Sequence, residues 1–361
     1  MFKNAVYKRA FADGAAQLDQ SDWFRLQAEV RGQIREALLT TLGADANASW
    51  KATKDVCLCL AAIAVVEVPT KNWADCVSML SSQGSSNPSL TFRMAAIHTL
   101  GLMQDSLVPS DLTPEDVDLI WAAMLSNVSG ENKDLAKIAA KAIARLAPAS
   151  QVHFENEGQR TAIMDGIFNL LAISDDEIQK AALDALIEIA ALNYQHMFPY
   201  LPKILAATTQ LIDTQDRHQS AGYGIEVWST LFDAEARNEN DNAAPVKHQI
   251  IRNFQWTKLA ALFLNGLSHT GFDEADQDLE DETDASLSLA CATALAGLAA
   301  IVKGDLVEVS FQFVSALLES PSAGSWTATY VALTALNGTV VGPSEEKLSA
   351  TFGNTLEWIY S

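Results

Sequence analysis

The stretch AALDALIEIAAL, residues 181–192, decides the fold. Ala182, Ala185, Leu186 and Ile189 stand in it at i, i+3, i+4 and i+7, which is one face of an α-helix. The same order of small residue, small residue, Leu or Ile, and apolar residue returns along the chain. It stands at Ala96, Thr99, Leu100 and Met103, and at Ala139, Ala142, Ile143 and Leu146. Further copies are Ala221, Gly224, Ile225 and Trp228, then Cys291, Ala294, Leu295 and Leu298, then Ala332, Ala335, Leu336 and Thr339. A weaker copy, Cys59, Ala62, Ile63 and Val66, precedes them. Successive copies start about 37 to 43 residues apart, except for a gap of about 70 between Ala221 and Cys291.

A second helix is predicted in each interval, over Pro114 to Ser126, Arg160 to Leu171, Tyr200 to Ile212, His248 to Leu267, and Val307 to Leu318. Polar breaks at Ser85 to Pro88, Ser174 to Asp176 and Ser320 to Ser322 divide them. A period near 40 with two helices per unit is the signature of HEAT and armadillo repeats. The reading is therefore all-α: a HEAT-repeat α-solenoid, a right-handed superhelix of antiparallel helix pairs. Residues 1–361 form one solenoid of about eight pairs. Each unit exposes an apolar face until the next stacks on it, which produces a curved body with an extended concave surface.

The 361 residues carry a net charge of -21 and are about half apolar. That charge argues against phosphate-backbone binding, which needs a basic footprint, and favours basic proteins or peptide arms. Four cysteines at irregular positions are too few for a disulfide scaffold; two lie in Ala/Leu-rich helical text, where a free Cys is a small core residue, and an intracellular protein is expected. No apolar run approaches the roughly 20 residues of a spanning helix, and neither membrane nor nucleic acid is expected as a partner.

The long gap holds GFDEADQDLEDETD, residues 271–284, with eight carboxylates in the twelve residues from Asp273 to Asp284 and no Lys or Arg among them. It reads as an acidic loop inserted between the helices of one repeat. On residues alone it is a solvated spacer, a weak divalent-cation site without EF-hand spacing, or a clamp for Lys/Arg-rich surfaces. Glu280 to Asp284 is also similar to an Asp-rich magnesium box of isoprenoid synthases, but no second cluster accompanies it. The six histidines show no metal-ligand spacing, and neither Gly-x-Ser-x-Gly nor a phosphate-loop lysine motif is present. No catalysis, cofactor or metal is expected.

Several strings resemble the importin-β family of nuclear transport receptors, the karyopherins. VEVPTKNWADCVSML (residues 66–80) keeps Glu67, Pro69 and Trp73 of the family's Glu-x-Pro-x-x-x-Trp-Pro segment, with Ala74 in place of the second Pro. TLGLMQDSL (99–107), AALDALIEIAALNYQHMFPYL (181–201) and GIEVWSTLFDAE (224–235) resemble further segments in the family's order. The acidic run falls where the family carries its acidic loop. The resemblance implies binding of the GTP form of the GTPase Ran, of nucleoporin Phe-Gly repeats, and of basic cargo or the basic arm of importin-α. It also implies a place in cytoplasm, nucleus and nuclear pore. By the same resemblance, Asp273, Glu274, Asp276, Asp278, Glu280, Asp281, Glu282 and Asp284 would grip Ran or a basic arm. The family's Trp just after the acids is Ala285 here.

A nucleoporin groove between neighbouring outer helices maps to Val117, Asp118, Trp121, Gln159 and Ile163, with Ala162 where an aromatic is expected. The alternative for Val117, Trp121 and Ile163 is the core between helices. The match begins near Lys3, inside what resembles the second repeat, and fades near Glu357. The chain thus reads as a fragment, an incomplete gene model or a reduced paralogue lacking the first repeat and the C-terminal half. By the resemblance, truncation on that scale would remove part of the Ran surface and most of the surface for importin-α. The rival to this family is a generic HEAT scaffold subunit of a phosphatase or chromatin complex.

Overall fold

The computed structural model describes residues 22–44, 50–213, 218–240, 249–268, 282–319 and 325–352. They contain sixteen α-helices and no strand. In chain order these are α1 (Ala28–Ala44), α2 (Trp50–Glu67), α3 (Cys76–Ser86), α4 (Leu90–Gln104), α5 (Pro114–Leu125), α6 (Lys133–Leu146), α7 (Gln151–Glu155) and α8 (Glu157–Leu171). They continue as α9 (Asp176–Leu192), α10 (Leu201–Asp213), α11 (His218–Asn240), α12 (Trp256–Ser268), α13 (Glu282–Val302), α14 (Asp305–Leu318), α15 (Trp326–Thr339) and α16 (Glu345–Phe352). The chain forms two compact units, Met1–Ala185 and Leu186–Ser361.

In the first unit α2, α4 and α6 pack in succession, while α3, α5 and α8 form a second succession alongside. The same two-layer arrangement recurs in the second unit, with α11, α13 and α15 in one layer and α12 and α14 in the other. The repeat signature is what makes this stacking close. Every member of its seven copies is buried except Cys59, which is half-buried. Close approach explains why those positions are small. A Cβ on Gly101 of α4 would lie 2.8 Å from Ala142 Cβ of α6, and one on Gly266 of α12 would collide with the Cys291 sulfur of α13.

Helix starts are set by local chemistry. Thr113 and Asp116 form a reciprocal capping box ahead of Pro114, which begins α5. Asn132 caps α6 through Leu135 N at 2.9 Å, and Asp175 accepts from Ile178 N at 3.1 Å as α9 begins. The four cysteines are free thiols, and three are buried. Burial pushes the Cys57 thiol up to about 11 and the Cys291 thiol up to about 12, as befits core residues rather than nucleophiles.

One helix expected from periodicity is shorter than predicted. The segment from His248 to Leu267 becomes helical only at Trp256. The buried Glu235 carboxylate of α11 accepts Ile251 N at 2.6 Å and Arg252 N at 3.2 Å, and Tyr194 Oη accepts Ile250 N at 3.2 Å. Tyr194 also donates its hydroxyl proton to Glu235. These side chains take the backbone donors of residues 250–252, holding the segment as a turn.

Candidate partner-binding site

The residues mapped to a nucleoporin groove do come together. Val117, Asp118 and Trp121 lie on α5, Gln159 and Ile163 on α8, and the two helices pack against each other in the first unit. Their close approach has a specific cause: a Cβ on Gly166 of α8 would overlap the Leu125 side chain. Three of the five form the buried seam. Val117 is 8% exposed, Trp121 3% and Ile163 1%, and they share the interior with Ile120, Met124, Met164 and Ile167. Two form a polar rim, where Gln159 Nε2 donates to Asp118 Oδ1 at 3.0 Å. Ala162 is exposed on α8.

The structure adds a residue that the spacing of the sequence did not single out. His153, on the short α7, is buried with its Nε2 2.8 Å from Asp118 Oδ1. A carboxylate only accepts, so it is Nε2 that donates here. The imidazole also meets the Trp121 ring at a centroid distance of 6.3 Å. Both His153 Nδ1 and Trp121 Nε1 are buried without a hydrogen-bond partner. Asp118 thus gathers His153 and Gln159 above a floor of Val117, Trp121 and Ile163. Val117, Trp121 and Ile163 thus lie in the core between the two helices, and of the five only Asp118 and Gln159 reach the surface.

Of the acidic residues, Asp273, Glu274, Asp276, Asp278, Glu280 and Asp281 lie outside the described residues. Glu282 and Asp284 fall in the first turn of α13 rather than in the loop read from residues 271–284. Ala285, in place of the family's Trp, also lies within this helix. Among the described residues, no group of three or more His, Cys, Asp or Glu could hold a metal ion. No helix there is long and apolar enough to cross a membrane.

The Glu-x-Pro-x-x-x-Trp string now has a physical meaning. Glu67 closes α2 fully buried, and its Oε1 accepts from Trp23 Nε1 at 2.9 Å and Arg31 Nη1 at 3.1 Å. Its other oxygen is paired with Arg35. The Glu67 carbonyl accepts Asn72 N at 2.9 Å, and the Arg35 guanidinium lies 5.2 Å from the Trp73 ring centroid. The turn between α2 and α3 is therefore tied to α1 by a buried charge network, to which the string contributes Glu67 and Trp73.

Curated relatives match the chain along nearly its whole length. Importin subunit beta-1 of Arabidopsis thaliana is 27% identical over 345 residues, covering 93% of this chain and 38% of the relative. Importin subunit beta-1 of Schizosaccharomyces pombe is 26% identical over 366 residues, covering 98% and 40%. The chain is homologous to importin-β. It spans about two fifths of the length of the importin-β relatives it matches. No protein-family model matches the chain. Among solved structures, the fold matches Kap95 in its complex with Nup1 with a TM-score of 0.81 at 20% identity, over 99% of this chain and 41% of that one. Kap95p bound to RanGDP gives the same TM-score, identity and coverage. The importin-β HEAT-repeat solenoid is thus the fold. Its homologues are transport receptors rather than enzymes.

Proposed function

We propose that this chain works as a nuclear transport receptor of the importin-β kind, without catalysis, moving between cytoplasm and nucleus through the pore. The observation that carries this reading is homology to importin subunit beta-1 along nearly the whole chain. In this reading the α5–α8 seam takes Phe-Gly segments of nucleoporins. An aromatic ring enters against Trp121, Val117 and Ile163, and Asp118 and Gln159 bond the flanking backbone. The run from Asp273 to Asp284 takes a basic surface of Ran-GTP, a basic cargo or the arm of importin-α. Two structural relatives are consistent with such partners: Kap95 is seen with Nup1, and Kap95p with RanGDP.

The test is retention of the purified chain on immobilised Ran-GTP, Ran-GDP and Phe-Gly repeats. Retention that depends on the GTP state, or on the phenylalanines of the repeats, is expected. Absence of both, with phosphatase or chromatin subunits captured in their place, would return the chain to a generic HEAT scaffold.

A further inference from the structure

The rim of the α5–α8 seam holds a carboxylate whose two oxygens are used differently. Asp118 Oδ1 accepts twice, from His153 Nε2 at 2.8 Å and from Gln159 Nε2 at 3.0 Å. Among the described residues no donor is bonded to Oδ2, and the Asp118 side chain is 52% exposed. Because a carboxylate only accepts, the Gln159 amide turns its NH2 group toward Asp118 and its Oε1 away. What the rim offers a partner is therefore a pair of acceptors, Asp118 Oδ2 and Gln159 Oε1.

His153 sets this arrangement from beneath, with a side chain only 6% exposed. The packing of the short α7 fixes it in place. The Ser150 carbonyl accepts His153 N at 2.9 Å and Phe154 N at 3.1 Å, Phe154 is fully buried, and Arg160 of α8 donates to the Phe154 carbonyl. The imidazole then lies against the Trp121 ring. A half-exposed carboxylate is thus bonded to a ring that packing holds still, which is how a binding group is kept in one geometry.

Keeping a polar ring here lowers stability. His153 Nδ1 and Trp121 Nε1 are both buried without a hydrogen-bond partner, and each such atom is paid for in lost solvation. An apolar side chain of similar size would fill the same space without stranding Nδ1. The bond to Asp118, rather than the packing of the helices, accounts for an imidazole at this position.

We propose that His153 is a positioning residue for partner binding: it holds Asp118 so that Oδ2 accepts a main-chain N–H of a Phe-Gly segment. The inference rests on the reading that the α5–α8 seam takes such segments, and it names the group on the partner that the rim selects. The glycine N–H suits this role, because a residue without Cβ brings its backbone close to a carboxylate flanked by the exposed Ala162. An acceptor fixed beforehand also loses less freedom on binding than one that must be ordered.

Calorimetric titration of the intact chain tests the assignment, with a Phe-Gly peptide and the same peptide methylated on its glycine nitrogen. The unaltered chain is expected to bind the unmethylated peptide about tenfold more tightly, the effect of one hydrogen bond to a charged group. His153→Leu is expected to bind the two peptides alike and to melt at an unchanged or higher Tm. His153→Gln, which keeps a donor toward Asp118, is expected to restore the difference. A lower Tm in His153→Leu, or a peptide difference that survives in it, would show a structural role only and overturn the proposal. Equal and measurable binding of both peptides by the unaltered chain would overturn it while leaving the reading of the seam intact. Binding of neither peptide would remove both.

Discussion

Trp23 and Glu67, 44 positions apart, meet through a 2.9 Å hydrogen bond from the indole Nε1 to a fully buried carboxylate. Arg31 and Arg35 complete the shell around that carboxylate. Removing one partner of a buried ion pair strands the others. Glu67→Ala should therefore cost about 3 to 5 kcal/mol. Urea denaturation followed by tryptophan fluorescence measures it, and a loss below about 1 kcal/mol would show that the network is dispensable.

Two helical glycines should respond in opposite directions. Gly101→Val pushes a branched side chain into Ala142 of α6, at a contact already too tight for a Cβ, and should destabilise by about 1 to 3 kcal/mol. Gly222 of α11 has no atom within 4 Å of such a Cβ, so Gly222→Ala should stabilise by about 0.5 to 1 kcal/mol through the unfolded chain. Paired thermal melts decide both, and equal signs would refute the packing account.

His98 gives a pH dependence with a definite sign. Its folded value of about 4 lies below the usual 6.5, so the unfolded chain binds the proton first as pH falls. The contribution of His98 to stability is whole above about 6.5 and declines as pH drops toward 4. Denaturation midpoints across that window should slope upward with pH, and His98→Asn should flatten the slope. An NMR titration of the imidazole near 6.5 would contradict the prediction. So would an unchanged slope in the variant.

At the α5–α8 seam, Asp118→Ala separates rim from floor. It removes the acceptor shared by His153 and Gln159, while Val117, Trp121 and Ile163 keep their packing. Affinity for Phe-Gly peptides should fall by about tenfold, the loss of roughly one hydrogen bond to a charged group. Calorimetric binding alongside a melting curve distinguishes this from unfolding.

Neutralising Asp281, Glu282 and Asp284 together should flatten the salt dependence of binding to a basic partner and leave the helical content unchanged. Titrations at two salt concentrations measure this. An affinity as steeply salt-dependent as before would return the run to a solvated spacer.

The helices and their stacking partners were legible in the sequence because side-chain direction repeats with the helical turn. Ala182, Ala185, Leu186 and Ile189 must share a face wherever that helix sits. A copy every forty or so residues then forces one such face onto the next. The late start of α12 at Trp256 was not legible, because the Glu235 carboxylate that intercepts Ile251 and Arg252 approaches from another helix.

The candidate seam divides in the same way. Val117, Trp121 and Ile163 carry an apolar pattern that sequence can place on two helices, but only packing shows that all three are buried. His153 joins Asp118 across 35 residues, and Lys141 joins Glu177 across 36. Sequence by itself determined a stack of two-helix repeats and an acidic run in its longest interval. Which charges face one another, and which apolar faces close, was decided only when neighbouring repeats packed. Those contacts depend on distances between helices, and no local pattern of residues encodes them.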